Sequence, residues 1–366
     1  MARWWQRLWP VVAAMCVVLG TVTTSTAVSA AEEAVLIPGA TVFKRINPFY
    51  PLIATNYPVI GIHFHDDDDP QVVDYSQNAL ASEWALRDGV KQADIAVRQI
   101  DGKVVVIGES MGAMVASRLA AKLAADPDAP STDDIRFVLI APPEAGVAEW
   151  FKEGTYIPVL NYRISRIAES PYPTTIVIGE YDGWADPPDR PWNLISSANA
   201  LMGIVYVHGP PIAAGDPETL SPENTTTHTN GAGGIVTTHF VPTQNLPLTQ
   251  VFRDVGVPGV LVDRVDQVVR PIVDAGYVRH DRPGDRRPYL RDGALHRNVQ
   301  SQQQARAQSR ESREDTVDVG EPASTGRLLD RISVDTDPEK SEKTAAEPEA
   351  PASDPQTPSE STDGDG

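Results

Sequence analysis

The chain has 366 residues, with 31 Lys+Arg against 50 Asp+Glu and a formal net charge of −19. That length suits one large α/β domain with appendages. Cys16 is the single cysteine and falls in the leading apolar segment, which excludes disulfides and thiol chemistry from a processed chain, so the fold must rest on its core.

Residues 1–31 read as an export signal or N-terminal membrane anchor. Arg3 and Arg7 form a basic start among Trp4, Trp5 and Trp9, residues 10–20 are apolar, and Val28-Ser29-Ala30 offers small residues for cleavage. The apolar run is short for a full span, and the threonines after it dilute it further. The body is expected over 32–280. Ala34-Val35-Leu36-Ile37 reads as a buried strand ended by Pro38-Gly39, and residues 58–63 as a second strand. His63-Phe64-His65-Asp66-Asp67-Asp68-Asp69 invites a metal reading, but adjacent aspartates cannot all face one ion and no Ca²⁺-loop spacing is present. A solvated acidic loop is expected, with no metal and no cofactor. A helix within 74–100 carries Leu80, Trp84 and Ala85 on its apolar side.

The stretch Val104-Val105-Val106-Ile107-Gly108-Glu109-Ser110-Met111-Gly112-Ala113 reads as a buried strand, a sharp turn at Ser110, and a helix over 113–124. This is the G-x-S-x-G nucleophile elbow in its strand–turn–helix context. Side chains at Gly108 and Gly112 would collide with the neighbouring strand and helix, and the helix N-terminus favours the negative charge of an oxyanion. The alternative is an ordinary βα turn whose serine caps the helix. Strands follow at 135–140 and 174–179, then a helix at 192–202 and a last core strand at 203–207. Residues 213–234 form a polar loop, and an amphipathic segment over 257–273 either covers the site or completes the fold. Aliphatic strands alternating with helices imply an α/β-hydrolase-like, mainly parallel sheet with helices on both faces.

A serine nucleophile needs a base, and the base an orienting acid, here in chain order Ser…Asp…His. Asp182, three residues past Gly179, is the first choice for the acid, with Asp186 as the alternative. His208, directly after Val205-Tyr206-Val207, is the first choice for the base, with His239 as competitor. The oxyanion donors are expected at the backbone of Met111 and of Ala40 or Thr41. Residues 281–366 are expected to be a disordered tail, basic and then acidic: from Glu314 onward there are 15 Asp/Glu against 4 Lys/Arg and no aromatic residue. Nucleic acid is a poor partner for the basic stretch 279–313 of an exported chain, whereas anionic lipid headgroups are a conceivable one.

The elbow Gly108-Glu109-Ser110-Met111-Gly112, the block Tyr181-Asp182-Gly183-Trp184-Ala185-Asp186-Pro187-Pro188, Asn199-Ala200-Leu201-Met202-Gly203 before His208, and Pro242-Thr243-Gln244-Asn245-Leu246-Pro247-Leu248 together resemble the mycobacterial PE-PPE domain. The resemblance runs over about 34–277. It implies a serine α/β-hydrolase related to cutinases and lipases, with Ser110, Asp182 and His208 as its triad. Pro38-Gly39-Ala40-Thr41 replaces the Gly-Gly-Thr start common in that family, and tyrosine pairs often stand where His239-Phe240 do. With an export signal where a PE or PPE helical module often stands, the chain resembles the exported acyltransferases of acyl-trehalose glycolipid synthesis. The resemblance implies a lipid ester or acylated sugar as substrate, at the cell envelope. Plain ester hydrolysis, a non-catalytic lipid-binding scaffold and a peptidase are the competing functions, the last without a supporting feature.

Overall fold

The computed structural model describes residues 32–41, 60–209, 212 and 215–297. The expected export signal and the acidic tail lie outside these residues. A seven-stranded sheet forms the centre, in the order β2-β1-β3-β4-β7-β9-β8. Its strands are β1 (Glu33–Ile37), β2 (Gln71–Val72), β3 (Val104–Glu109), β4 (Ile135–Ile140), β7 (Thr174–Gly179), β8 (Thr225–Thr229) and β9 (Ile235–Val241). All neighbours run parallel except β8, which returns antiparallel along β9 as the edge. Two short strands, β5 (Tyr156–Ile157) and β6 (Tyr162–Arg163), pair with each other elsewhere.

The continuous aliphatic runs of β1, β3 and β4 have a direct cause, because both faces of these strands are buried. Val35, Ile37, Val106, Phe137 and Leu139 pack on one face, and Ala34, Leu36, Val105, Ile107, Val138 and Ile140 on the other. The first face is covered by α1 (Ser82–Gln99) and α2 (Met111–Ala124). On α1 the buried residues after Ser82 are Ala85, Leu86, Gly89, Ala93, Ala96 and Val97, at helical spacing. Leu80 and Trp84, expected on that face, are instead 49% and 56% exposed. The helix turns its small residues inward because α2 lies close: a Cβ on Gly89 would stand 2.7 Å from Val115. The other face packs against Ile60, Ala185, Ile212 and Phe64.

Three more expectations need correction. The described part of 58–63 is a turn in which Gly61 has φ +64°, and the strand beside β1 is Gln71–Val72. Residues 203–206 continue the helix α3 (Leu194–Tyr206), so no strand precedes His208. Gly203 does not end this helix. It serves as a contact point, since a Cβ there would lie 1.8 Å from the Tyr181 carbonyl oxygen. The parallel neighbour of β7 on the side away from β4 is β9, and the polar segment before it contains the threonine-rich edge strand β8. Helices α4 (Pro247–Asp254) and α5 (Gly259–Asp274) join α3 in a second helical group. Tyr181, Leu246, Val273 and Tyr277 form its buried centre.

The ordered domain also passes the boundary expected at 280. Strands β10 (Pro288–Arg291) and β11 (Ala294–Arg297) form a hairpin. Leu290 N–H donates to the Asp189 carbonyl (2.8 Å), Asp292 N–H to that of Glu149 (2.8 Å), and Arg166 pairs with Asp292 (2.6 Å). Arg190 and Asp281 make a two-pronged ion pair at 3.0 and 2.6 Å with side chains 3% and 1% exposed. Polar anchoring of this kind leaves no apolar pattern in the sequence.

Candidate active site

The site begins at the C-terminal end of β3, in the middle of the sheet. Ser110 has φ 56° and ψ −117°, a conformation that L residues rarely adopt and that persists only when its surroundings over-determine it. Its N–H donates to the Ile140 carbonyl at 2.8 Å, tying the turn to β4. A Cβ on Gly108 would stand 2.2 Å from the Gly112 oxygen, and one on Gly112 only 1.9 Å from the Ile37 oxygen. The two glycines thus let strand, turn and helix meet backbone to backbone. The Ser110 side chain makes no capping bond to α2, which leaves the hydroxyl available for another partner.

That partner is His208. Ser110 Oγ lies 2.8 Å from His208 Nε2, and His208 Nδ1 lies 2.7 Å from Asp182 Oδ2. Asp182 is fully buried, and its other oxygen accepts the Trp184 N–H at 2.8 Å. A carboxylate facing Nδ1 places the ring proton there, so that Nε2 can accept from the serine. Burial lowers the His208 pKa, but the charge and hydrogen bond of Asp182, with the charge of Glu109, together hold it above its ordinary value. Such a ring is suited to taking the serine proton and passing it on.

The structure brings Ser110, Asp182 and His208 together and keeps the two alternatives apart from them. His239 lies within β9, where its Nδ1 is 3.0 Å from the Thr225 hydroxyl on β8; burial lowers its pKa. Asp186 has both oxygens engaged, one by the Tyr181 N–H (2.7 Å) and one by Arg279 (2.8 Å). His208 was expected after a strand, yet it reaches Ser110 from the end of α3, because Gly203 seats that helix directly on the turn carrying Asp182.

Of the expected oxyanion donors, Met111 is the first residue of α2, with its backbone at the helix N-terminus beside Ser110. Thr41 does not fit that role, since its N–H donates to the Gln77 carbonyl at 3.1 Å. Ala40 remains, on a loop whose approach is set by Gly39: a Cβ on Gly39 would lie 3.1 Å from Ser110 Cβ. The Tyr75 hydroxyl holds this loop through the Pro38 carbonyl at 2.7 Å. Among the described residues, no group of three or more His, Cys, Asp or Glu side chains is arranged to hold a metal ion. Asp67 of the acidic run accepts the Ala34 N–H (2.9 Å) and so supports β1.

Two polar residues near the site escaped the reading of the sequence. Glu109 stands inside the elbow motif and adds negative charge beside His208. Arg279 looked like one cation of a basic stretch, yet its guanidinium lies 4.1 Å from the Tyr277 ring centroid and pairs with Asp186. The aromatic-acidic block at 181–186 is the available signal for a cation held against it.

Several Mycobacterium tuberculosis proteins are similar to this chain, among them PPE63, Chp1 and Chp2. PPE63, an uncharacterized PPE family protein, is 34% identical over 287 residues, covering 73% of this chain and 59% of its own length. The SL1278 acyltransferase Chp1 is 31% identical over 262 residues, 68% of this chain and 65% of Chp1. The diacyltrehalose acyltransferase Chp2 is 35% identical over 248 residues, 60% of this chain and 69% of Chp2. The chain therefore spans about three fifths to two thirds of the length of these relatives. The PE-PPE domain family matches residues 57–278, a span that contains the elbow, the 181–186 block and His208. With that match across most of the ordered domain, the chain belongs to the PE-PPE domain family.

Proposed function

We propose that this protein is a serine acyltransferase acting on lipid esters at the cell envelope, moving acyl chains between acylated trehalose glycolipids. The observation that carries the reading is the hydrogen-bonded series Ser110–His208–Asp182 on a strained elbow. The likeness to Chp1 and Chp2 supports transfer to a sugar. The leading apolar segment supports work outside the cytoplasm, at the outer face of the membrane or in secreted form.

In the proposed reaction Ser110 Oγ attacks the ester carbonyl carbon while His208 Nε2 takes its proton. The oxyanion is met by the Met111 N–H and, from the opposite loop, by that of Ala40. Collapse breaks the bond to the leaving alkoxide, which receives the proton from His208 and departs as an alcohol. The acyl-serine is then attacked by a sugar hydroxyl whose proton passes to His208, and Ser110 is released with its hydrogen restored. Asp182 holds the imidazole in the required tautomer throughout. Water competes for the acyl-enzyme, and transfer prevails only where the site positions the sugar and excludes water.

The test is incubation of the protein with an acyl-trehalose as donor and acceptor, with Ser110→Ala in parallel. Transfer predicts trehalose carrying an additional acyl chain in excess of free fatty acid. Free fatty acid alone would assign a lipid-ester hydrolase, and neither product would leave a lipid-binding scaffold.

A further inference from the structure

Resting on the reading of Ser110, His208 and Asp182 as a triad, we infer that Asp186 and Arg279 are a positioning pair that holds Asp182 in register with His208. Asp182 lies on the turn after β7, and the residue before it, Tyr181, has φ +66°. A bulky residue in that region is strained unless its neighbours fix it. Asp186 supplies the fixing from both sides of the triad acid. Its Oδ2 accepts the Tyr181 N–H at 2.7 Å, and its own N–H donates to the Asp182 carbonyl at 2.7 Å. One side chain and one amide of a single residue therefore bracket Asp182 and close the turn on itself.

The remaining oxygen of Asp186 faces Arg279 at 2.8 Å. Arg279 in turn is held in a cage. Its guanidinium lies 4.1 Å from the Tyr277 ring centroid and 5.1 Å from that of Phe240, and it is 3.6 Å from Glu180. Glu180 accepts the Thr243 N–H at 2.9 Å, which fixes the other side of the same turn. The Tyr181 hydroxyl donates to Asp274 at 2.6 Å and receives Arg270 at 3.2 Å. The His280 ring lies 3.9 Å from Glu180 and 3.7 Å from Asp274.

The pair is partly solvated, with Arg279 29% and Asp186 14% exposed, and such an ion pair is a weak source of stability. What it does supply is direction. The geometry points to Asp186 fixing where the Asp182 carboxylate points, and to Arg279 holding the plane of the Asp186 carboxylate so that one oxygen faces the Tyr181 N–H. Arg279 follows the span matched by the family and comes from the segment after α5, so the C-terminal part of the domain reaches Asp186 through this side chain and Tyr181 through Asp274 and Arg270.

The test uses the full chain with Asp186→Asn, Arg279→Gln and the conservative Arg279→Lys. The Asn keeps the size of the side chain but has one acceptor for two donors, whereas Arg279→Gln keeps the Asp186 carboxylate and removes only the cation that orients it. The first readout is the His208 imidazole pKa followed by NMR, which needs no turnover. The second is the rate of labelling by a fluorophosphonate. A positioning pair predicts that Asp186→Asn and Arg279→Gln lower the His208 pKa and slow labelling at least tenfold, with kcat falling and KM unchanged, and that Arg279→Lys recovers part of both. Folded variants that titrate and label like wild type would overturn the inference and leave the pair a stabilising element only. Wild-type protein that never labels, combined with a lowered His208 pKa in the variants, would uphold the pair and sink the enzyme reading instead.

Discussion

Replacing Asp182 by Asn should cost about four decades in kcat, roughly 5 kcal/mol of transition-state stabilisation, the scale seen when a triad acid becomes an amide. The reason lies in the donors around the carboxylate. Oδ1 accepts the Trp184 N–H at 2.8 Å and Oδ2 faces His208 Nδ1 at 2.7 Å, in a side chain with no exposure. An amide has one oxygen. The fixed backbone of Trp184 takes it, so the Asn NH₂ points at Nδ1 and drives the ring proton to Nε2. There the proton faces Ser110 Oγ, 2.8 Å away, and the histidine can no longer accept from the serine. The pH dependence should move as well. Asp182 is the main influence raising the His208 pKa, against a burial effect that lowers it. With the charge gone, burial dominates, so the acid limb of kcat/KM shifts to lower pH even as the plateau falls. The assay is hydrolysis of a p-nitrophenyl ester from pH 5 to 9. Asp182→Asn within tenfold of wild type, or with an unmoved acid limb, would refute this account of the acid.

Other outcomes follow from the same geometry. Gly112→Ala puts a Cβ 1.9 Å from the Ile37 oxygen and 2.8 Å from the Pro38 oxygen. Both are backbone atoms, so a loss of about 1–3 kcal/mol is expected, measured as a lower urea midpoint, together with reduced esterase activity. Burial pushes the Glu144 pKa from 4.5 up to about 7, against the Ser165 hydrogen bond and the Arg118 charge. A raised carboxylate favours the folded state fully below its unfolded pKa, and that contribution is lost as pH rises through 7. Wild type should therefore lose on the order of 3 kcal/mol between pH 4 and 8 through this group. Urea titrations at pH 5 and pH 8 should show a smaller drop for Glu144→Gln, and an equal drop would contradict the assignment. His239→Ala should leave kcat within twofold of wild type, because its ring meets Thr225 and not Ser110; a loss of several decades would reopen the choice of base.

The sequence pointed to the three side chains that meet in space, Ser110, Asp182 and His208, better than to the backbone route that joins them. The elbow was legible because its chemistry requires two glycines and an aliphatic strand in fixed order, and the collisions found at Gly108 and Gly112 are what that spacing demands. Asp182 was legible as an acid following a strand. His208 is expected after a strand, but it follows a helix instead. Val205-Tyr206-Val207 has β-forming composition, yet tertiary packing of Gly203 on Tyr181 and of Ser196 on the Val273 carbonyl (2.6 Å) draws the segment into α3. Strand β8 was missed because a polar edge strand of threonines has no apolar alternation to detect. The hairpin after 280 and the Arg190–Asp281 pair were missed because charged anchoring resembles a solvated tail until the partners meet in space. Thr41 failed as an oxyanion donor for a similar reason, its N–H being bound to Gln77, far away in sequence.

The most direct test of the central claim is intact-mass analysis of the full chain after exposure to a fluorophosphonate, with Ser110→Ala alongside. The account predicts a single adduct that maps to Ser110 and is absent from the variant. A folded wild-type protein that takes up no label, or one labelled equally in Ser110→Ala, would contradict an activated serine at this elbow.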